Sequence, residues 1–292
     1  MSILALDIGG TAIKSGLLKE DGSFLSSAEH PSDAHKGGAF LMERVFEIIS
    51  SYSGYDRIGI STAGQVDAKN GVIVFANQNI PGYTGMRVKD MVEDRFHVPV
   101  SVENDVNCAA LGEAFYGAGR GFDDFLCLTY GTGIGGAIII NRKLYKGYKG
   151  IAAEFGHMIT HANGLPCGCG LHGCYEQYAS TKALVREAQK VDKDCVSGRV
   201  IFEKLPESPA VQKAVDAWID EILVGLASLI HIFNPPCIVL GGGIMNEDYI
   251  VSRIRNRLPD HVMESSSDTI INKASLGNKA GMLGAMKITL TD

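Results

Sequence analysis

Two stretches of this chain follow one plan: LALDIGGTAIKSGLL (Leu4–Leu18) and LCLTYGTGIGGAIII (Leu126–Ile140). Each reads as an apolar strand, a Gly/Thr-rich turn and a second strand. The repetition marks an internal duplication. Glycines in such turns expose backbone N–H groups that can approach phosphate oxygens closely, so two halves each offering one turn can clamp a polyphosphate. In the first turn Gly9, Gly10 and Thr11 supply N–H groups and a hydroxyl, and Lys14 a nearby cation. In the second, Thr132 and Gly133 hold the matching places. DIGGT by itself also fits an ordinary hairpin. The GxGxxG string Gly131–Gly136 is not a dinucleotide fingerprint, because a strand rather than a helix follows it and no helix N-terminus awaits a pyrophosphate.

The rest of the chain alternates strand and helix patterns. A helix is expected over Phe40–Ser50 and a strand over Ile58–Ser61, which runs into the loop Ala63-Gly64-Gln65. Asn77 to Tyr83 is turn-rich, and such loops carry ligand contacts in α/β folds. A strand over Val98–Val102 ends in Glu103-Asn104-Asp105, and a helix follows over Val106–Phe115. Either Asn104 or Asp105 suits the helix N-cap, and the Asp105 carboxylate at that junction is placed to meet a substrate hydroxyl. The positive end of the helix favours its ionised form. Ser208-Pro209 opens a long apolar helix that Asn234-Pro235-Pro236 stops. The strand Cys237–Leu240 enters Gly241-Gly242-Gly243-Ile244, where a flat ligand such as adenine can lie against backbone. The last helix, Asn278–Leu290, carries the small residues Ala280, Gly281, Gly284 and Ala285, which predict close packing.

Between these elements lies GHMITHANGLPCGCGLHGCYE, Gly156 to Glu176. Its spacing, H-x9-C-x-C-x4-C, offers His157, Cys167, Cys169 and Cys174 as a closed tetrahedral zinc site. Four protein ligands leave no open position, so the expected zinc is structural. The loop also carries Glu176 and follows Glu154, so a metal there pins two carboxylates.

The 292 residues allow one large domain or two ordinary ones. A composition of 46% apolar and 21% charged residues is that of a globular protein. The net charge of −6 argues against a nucleic-acid or anionic-membrane surface. Seven cysteines, three of them clustered, suit a reducing cytoplasm and a metal site rather than a disulfide framework. No basic, apolar leader precedes Asp7, and no stretch approaches a membrane span.

The run Glu154-Phe155-Gly156-His157, then Cys167-Gly-Cys169-Gly, then Gly173-Cys174-Tyr175-Glu176, resembles the ROK family of sugar kinases and sugar-responsive repressors. DIGGT, ENDVNCAALGE (Glu103–Glu113), GTGIGG and LGGGI extend the resemblance over nearly the whole chain. It implies a two-domain α/β fold of the actin-like, ribonuclease-H-like ATPase type with an inter-domain cleft. The expected division is 1–118 plus the C-terminal helix 278–292, against 119–277 with the zinc loop 156–176. It implies an ATP-dependent kinase acting on a hexose hydroxyl, expected to be the 6-hydroxyl, with Asp105 as catalytic base. Asn104, Asp105, Glu154, His157 and Glu176 would bind the sugar, with Gly64 beside them. Asp7, Gly9, Gly10, Thr11, Lys14, Thr132 and Gly133 would hold the phosphates and Mg2+, and Gly242 and Gly243 the adenosine. One nitrogen of His157 would face zinc and the other a sugar hydroxyl. A glucokinase-like activity ranks first. N-acetylmannosamine kinase, fructokinase and β-glucoside kinase are the alternatives, because Asn79-Ile80-Pro81-Gly82-Tyr83 departs from the Gly-Trp pattern of many glucokinases. A sugar-sensing regulator is the rival from another class, but DIGGT so near residue 1 leaves no room before it for a helix-turn-helix. The resemblance also implies a homodimer.

Overall fold

The computed structural model describes residues 2–76 and 78–290; Asn77 of the turn-rich loop lies outside the described residues, as do Met1, Thr291 and Asp292. In chain order the elements are β1 (Ser2–Ile8), β2 (Ala12–Lys19), β3 (Phe24–Pro31), α1 (Gly38–Ser50), β4 (Arg57–Thr62), β5 (Gln65–Asp67), β6 (Val72–Phe75), α2 (Val88–Phe96), β7 (Val100–Asn104) and α3 (Asp105–Tyr116). They continue with β8 (Phe125–Tyr130), β9 (Ile134–Ile140), β10 (Lys143–Leu144), α4 (Glu176–Ala179), α5 (Thr181–Ala188), α6 (Gly198–Lys204) and α7 (Pro209–Phe233). The chain closes with β11 (Cys237–Gly241), α8 (Asp248–Arg257), β12 (Ile270–Lys273) and α9 (Ala280–Ile288). Two compact units emerge: Met1–Asp123 with Ile138–Ala152 and Ser275–Asp292, and Asp124–Ala137 with Ala153–Ala274. No described helix is long and apolar enough to cross a membrane.

The first unit is built on a five-stranded sheet in the order β3-β2-β1-β4-β7. The hairpin of DIGGT pairs β1 with β2 antiparallel, Asp7 opposite Lys14 and Ile8 opposite Ile13. β1, β4 and β7 then run parallel. Asp7 faces Ser61 and Ile8 faces Thr62 across the first pair, while Ser61 faces Glu103 and Thr62 faces Asn104 across the second. Leu4, Leu6, Ile8, Ile58, Ile60 and Val102 are buried against α1 and its neighbours. Burying each such side chain stabilises the fold by about 1.5–3 kcal/mol.

The small residues of α9 do what their pattern predicts. A side chain at Gly284 would strike the Cys108 carbonyl, and one at Gly112 would strike the Ala280 carbonyl, so α3 and α9 meet backbone to backbone. Gly59 of β4 lies as close to the Ala285 carbonyl. One buried charge fixes this junction. Glu113, 1% exposed, accepts from the backbone N–H groups of Ala118 at 2.7 Å, Ser275 at 2.9 Å and Leu276 at 2.9 Å. The carboxylate thus closes the turn after α3 and holds the approach to α9.

In the second unit β8, β11 and β12 are parallel, with β9 on the other side of β8. The strand expected over Ala137–Ile140 begins earlier, at Ile134, so Gly135 and Gly136 are strand residues. α7 is the central helix that its apolar face predicts. Ser208 caps it, accepting from the Val211 N–H, and Asn234 ends it in the left-handed region at φ 43°. The indole of Trp218 donates to the Ser180 carbonyl at 3.0 Å, and the Tyr175 hydroxyl donates to the Ile222 carbonyl at 2.9 Å. Gly225 is obligatory on α7, because any side chain there would enter the Tyr175 ring.

Replacing Glu113 by Ala leaves three inward-facing N–H groups without an acceptor, each costing about 1–3 kcal/mol. Glu113→Ala is expected to lose at least about 3 kcal/mol of unfolding free energy in a denaturant titration, and Glu113→Gln clearly less, since an amide oxygen still accepts. Equal stability of the Ala variant and the parent protein would refute this role.

Candidate active site and metal loop

At the carboxyl edge of the first sheet, Asp7 sits half-buried at the end of β1. Its Oδ1 accepts from the Ser61 hydroxyl at 2.7 Å, and the Lys14 ammonium lies 3.7 Å from Oδ2. Lys14 also donates to the Asn278 Oδ1 at 3.3 Å. Gly281, at the start of α9, has no side chain to collide with the Asp7 carboxylate above it. Burial raises the Asp7 pKa above the ordinary carboxylate range, against the lowering by Ser61 and Lys14. The Gly9 N–H is spent on the Ala12 carbonyl, closing the turn, whereas Gly10 and Thr11 are exposed with open space around Gly10. Ser61 and Asn278, which hold Asp7 and Lys14, were not singled out by sequence. A serine ending an apolar strand opposite an aspartate was the available signal for Ser61.

Two strands along, Asn104 settles which residue caps α3. Its Oδ1 accepts from the N–H groups of Val106 at 2.9 Å and Asn107 at 3.1 Å. Its Nδ2 donates to the Gly64 carbonyl at 2.8 Å and to Asp105 Oδ1 at 2.9 Å. Gly64 adopts φ 103°, and a side chain there would meet the Phe75 carbonyl, so the loop needs glycine to reach Asn104. Asp105 Oδ1 accepts the Val106 N–H as well, at 2.9 Å, which leaves Oδ2 for an incoming hydroxyl. Burial, and then the charge of Asp7, push the Asp105 carboxyl up to about 6. The helix N-terminus, expected to favour the ionised form, is therefore outweighed. Tyr83 of the turn-rich loop is a core residue: it is fully buried and its hydroxyl bonds that of Thr62 at 2.9 Å.

In the second unit, glycines bring the candidate side chains together. Gly136 on β9 lies against the Ala153 carbonyl and the Phe155 ring, and Gly156 against the Ile134 carbonyl. Only bare backbone lets segment 153–157, with Glu154 and His157, press so closely on β9. Ala153 accepts a left-handed backbone, φ 68°, just before Glu154. Gly133 in turn makes room for the Glu176 carboxylate, whose oxygen would be 2.6 Å from a Cβ there. Thr132 is exposed beside it. Gly242, at φ 96°, is pressed on the Tyr130 carbonyl, while Gly243 faces open space.

The four expected metal ligands converge. The ligand atoms of His157, Cys167, Cys169 and Cys174 all lie within 4.8 Å of one another. Cys169 Sγ and Cys174 Sγ are 3.6 Å apart, and Cys167 Sγ is 3.8 Å from His157 Nδ1. A tetrahedron with Zn–S bonds of about 2.3 Å has edges of about 3.8 Å, so the donor set fits zinc in both chemistry and spacing. Burial and the neighbouring thiols push the Cys174 thiol up to about 12, the state a bound cation reverses by displacing the protons. Since Nδ1 faces the thiols, Nε2 is the outward nitrogen, and it lies 3.9 Å from a Glu154 oxygen. Glu176 accepts from the Cys167 thiol at 3.1 Å, so the loop positions both carboxylates. Each unit thus carries one glycine turn and one set of candidate polar groups.

Against known proteins, residues 3–292 match the model of the ROK family. The chain is 34% identical to a glucokinase of Thermotoga maritima, over 99% of this chain and 97% of that protein. It is also 34% identical to a β-glucoside kinase of Listeria monocytogenes, over 98% and 96% respectively. Its structure superposes on that of a ROK family glucokinase from Streptomyces griseus in complex with glucose and AMPPNP, with a TM-score of 0.87, 34% identity and full coverage of both chains. The α/β, actin-like ATPase fold expected from the paired turns is the fold of these kinases. This chain belongs to the ROK family.

Proposed function

We propose that this protein is an ATP-dependent hexose kinase that transfers the γ-phosphate to the 6-hydroxyl of glucose. Relatives named glucokinase, and a solved glucokinase holding glucose with an ATP analogue, support both substrates. The observation that carries the reading is the Asp105 carboxylate. It is held on one oxygen by Asn104 and Val106, with a pKa raised to about 6, at the end of a strand beside Asp7.

Oδ2 of Asp105 takes the proton from the attacking hydroxyl as the oxygen approaches the γ-phosphorus. Asn104, Glu154, His157 Nε2 and Glu176 hold the other hydroxyls. Each carboxylate can accept from two hydroxyls, and positioning contributes most of the rate in a transfer of this kind. Gly10, Thr11 and Lys14, with Thr132 and Gly133, take the phosphates, and Gly242 and Gly243 the adenosine. Asp7 would hold Mg2+, which neutralises phosphate charge when bound. Zinc on His157, Cys167, Cys169 and Cys174 would fix the loop that orients Glu154 and Glu176. A cytoplasmic homodimer completes the reading. The β-glucoside kinase relative keeps a glucoside as the second reading of the substrate. The exposed Val74 and Phe75, next to the Gly64 loop, favour room for an apolar aglycone there.

Three measurements test this. Asp105→Asn is expected to lower kcat by about 10²–10⁴ with glucose affinity nearly unchanged by calorimetry; near-parental turnover removes Asp105 as the base. The base must be ionised, and its pKa is raised, so activity is retained above and lost below that value. The kcat/KM profile is expected to fall tenfold per pH unit below about pH 6; a flat profile down to pH 5 rejects the assignment. Cys169→Ala is expected to abolish zinc, read by elemental mass spectrometry, and to weaken glucose binding at least about tenfold. A zinc-free variant of parental affinity would separate the metal from the sugar site.

A further inference from the structure

Two glutamates of this chain, Glu103 and Glu113, are just 1% exposed. Glu113 serves the junction of α3 and α9. The partners of Glu103 lie instead beside Asp105. Its Oε1 accepts from the Asn104 backbone N–H at 2.9 Å and from Asn107 Nδ2 at 3.0 Å. One oxygen therefore spans the first turn of α3, from the residue that caps it to the residue three positions on. Its Oε2 faces the Lys146 ammonium at 2.6 Å, an ion pair without hydrogen-bond alignment, and no other described group bonds that oxygen. The backbone of Lys146 is fixed in turn. It follows β10, which pairs with β9, and the Tyr145 N–H donates to the Ile138 carbonyl at 2.9 Å. The Lys146 carbonyl accepts from the Ala152 N–H at 3.2 Å. All of these residues belong to the first unit.

A buried ion pair adds little to stability by itself, since apolar side chains of similar volume commonly serve as well. This one also immobilises the long stem of a lysine, which costs conformational entropy. What an apolar pair could not do is accept hydrogen bonds around Asn104. We propose that the Glu103–Lys146 ion pair positions the reacting carboxylate. Glu103 fixes the Asn104 peptide and the first turn of α3, and Asn104 in turn bonds Asp105 Oδ1. Lys146 balances the charge of Glu103 where water does not reach it. Strand register spaces Asp105, and the pair orients the turn in which it sits. Both act through Asn104, so they are positioning residues. The catalytic half of this proposal rests on the sugar-kinase reading; the orientation of the turn does not.

The test compares Lys146→Arg, Lys146→Met and the double variant Glu103→Met/Lys146→Met in the full chain. Lys146→Arg keeps the charge and is expected to hold kcat within about threefold of the parent. Lys146→Met leaves a buried charge without its partner, so melting temperature and kcat both fall. In the double variant no charge is left buried, and Asn104 and Asn107 are half-buried, within reach of water. Its melting temperature therefore returns to the parental value. Its kcat is expected to stay at least about tenfold down and its glucose KM up, with the ATP KM unchanged, because a displaced turn misplaces Asp105 and Asn104 alone. Val106 and Asn107, whose amides bond Asn104 Oδ1, are expected to exchange hydrogen at least about tenfold faster by NMR. Turnover that recovers together with the melting temperature makes the pair purely structural and overturns the proposal, as does parental amide protection. If the double variant does not fold, Lys146→Met decides: parental kcat and amide protection there overturn the proposal. A parent chain that phosphorylates no sugar refutes the kinase reading, and amide exchange then still decides the orientation of the turn.

Discussion

The parallel register of β1, β4 and β7 is the constraint on which the placement of Asp7 and Asp105 in the first unit depends. It sets Asp7 beside Ser61, and Thr62 beside Asn104, at one sheet edge. The same pairing puts Leu4, Leu6, Ile58 and Ile60 into the core. Because side chains alternate across a strand, a slip of one residue would exchange the face packed on α1 with the face packed on α9, where only the bare backbone of Gly59 fits. Core burial therefore enforces the spacing of Asp7 and Asp105, and no separate device is needed to hold it. Asn104 then adds the local control. One side chain caps α3, anchors Gly64 and bonds Asp105, so a single amide fixes three neighbours.

Close backbone approach is the second recurring device. Gly281 lies under Asp7, Gly133 under Glu176, and Gly136 and Gly156 let the segment carrying Glu154 press on β9. At each place a Cβ would occupy the position of a candidate carboxylate or of the backbone that carries one. The candidate metal loop gathers three thiols and an imidazole within 4.8 Å of one another in a segment with little regular secondary structure of its own. A loop of this length has few buried apolar groups to offset its conformational entropy, and metal coordination by the four clustered donors would be the compensating interaction.

What was legible in the sequence was what local pattern dictates. The two hairpins announce themselves by alternation broken at Gly/Thr turns. The clustered Cys and His side chains announce themselves by spacing, and α7 by its long apolar face between Ser208-Pro209 and Asn234-Pro235. Elements with weak local signals were not read. α2 buries just Val88 and Val92 in nine residues, β5 and β6 are three and four residues long, and α6 buries Ile201 alone. Long-range polar contacts were equally silent. Glu113 looks like any glutamate on a helix until the Ser275 and Leu276 N–H groups arrive from 162 and 163 residues away. Tyr83 looked like a loop residue facing ligand, yet its hydroxyl is a core partner of Thr62.

Asp105 shows why such readings need the third dimension. At the first position of a helix, the dipole and the Val106 N–H both favour its charged form, by about 0.3–1 kcal/mol for the dipole. Sequence position alone therefore points to a depressed pKa. Burial and the neighbouring Asp7 act in the opposite sense and prevail, raising it to about 6. That outcome suits the proton abstraction proposed for Asp105 better than a strongly acidic carboxyl would. A base with a pKa far below neutrality stays ionised but has little affinity for the proton it must accept. One near 6 remains mostly ionised at neutral pH while gaining driving force for the transfer. The neighbour that Asp105 tolerates at the cost of like-charge repulsion is thus also the one that tunes it, and the strand register holds the two carboxylates in that relation.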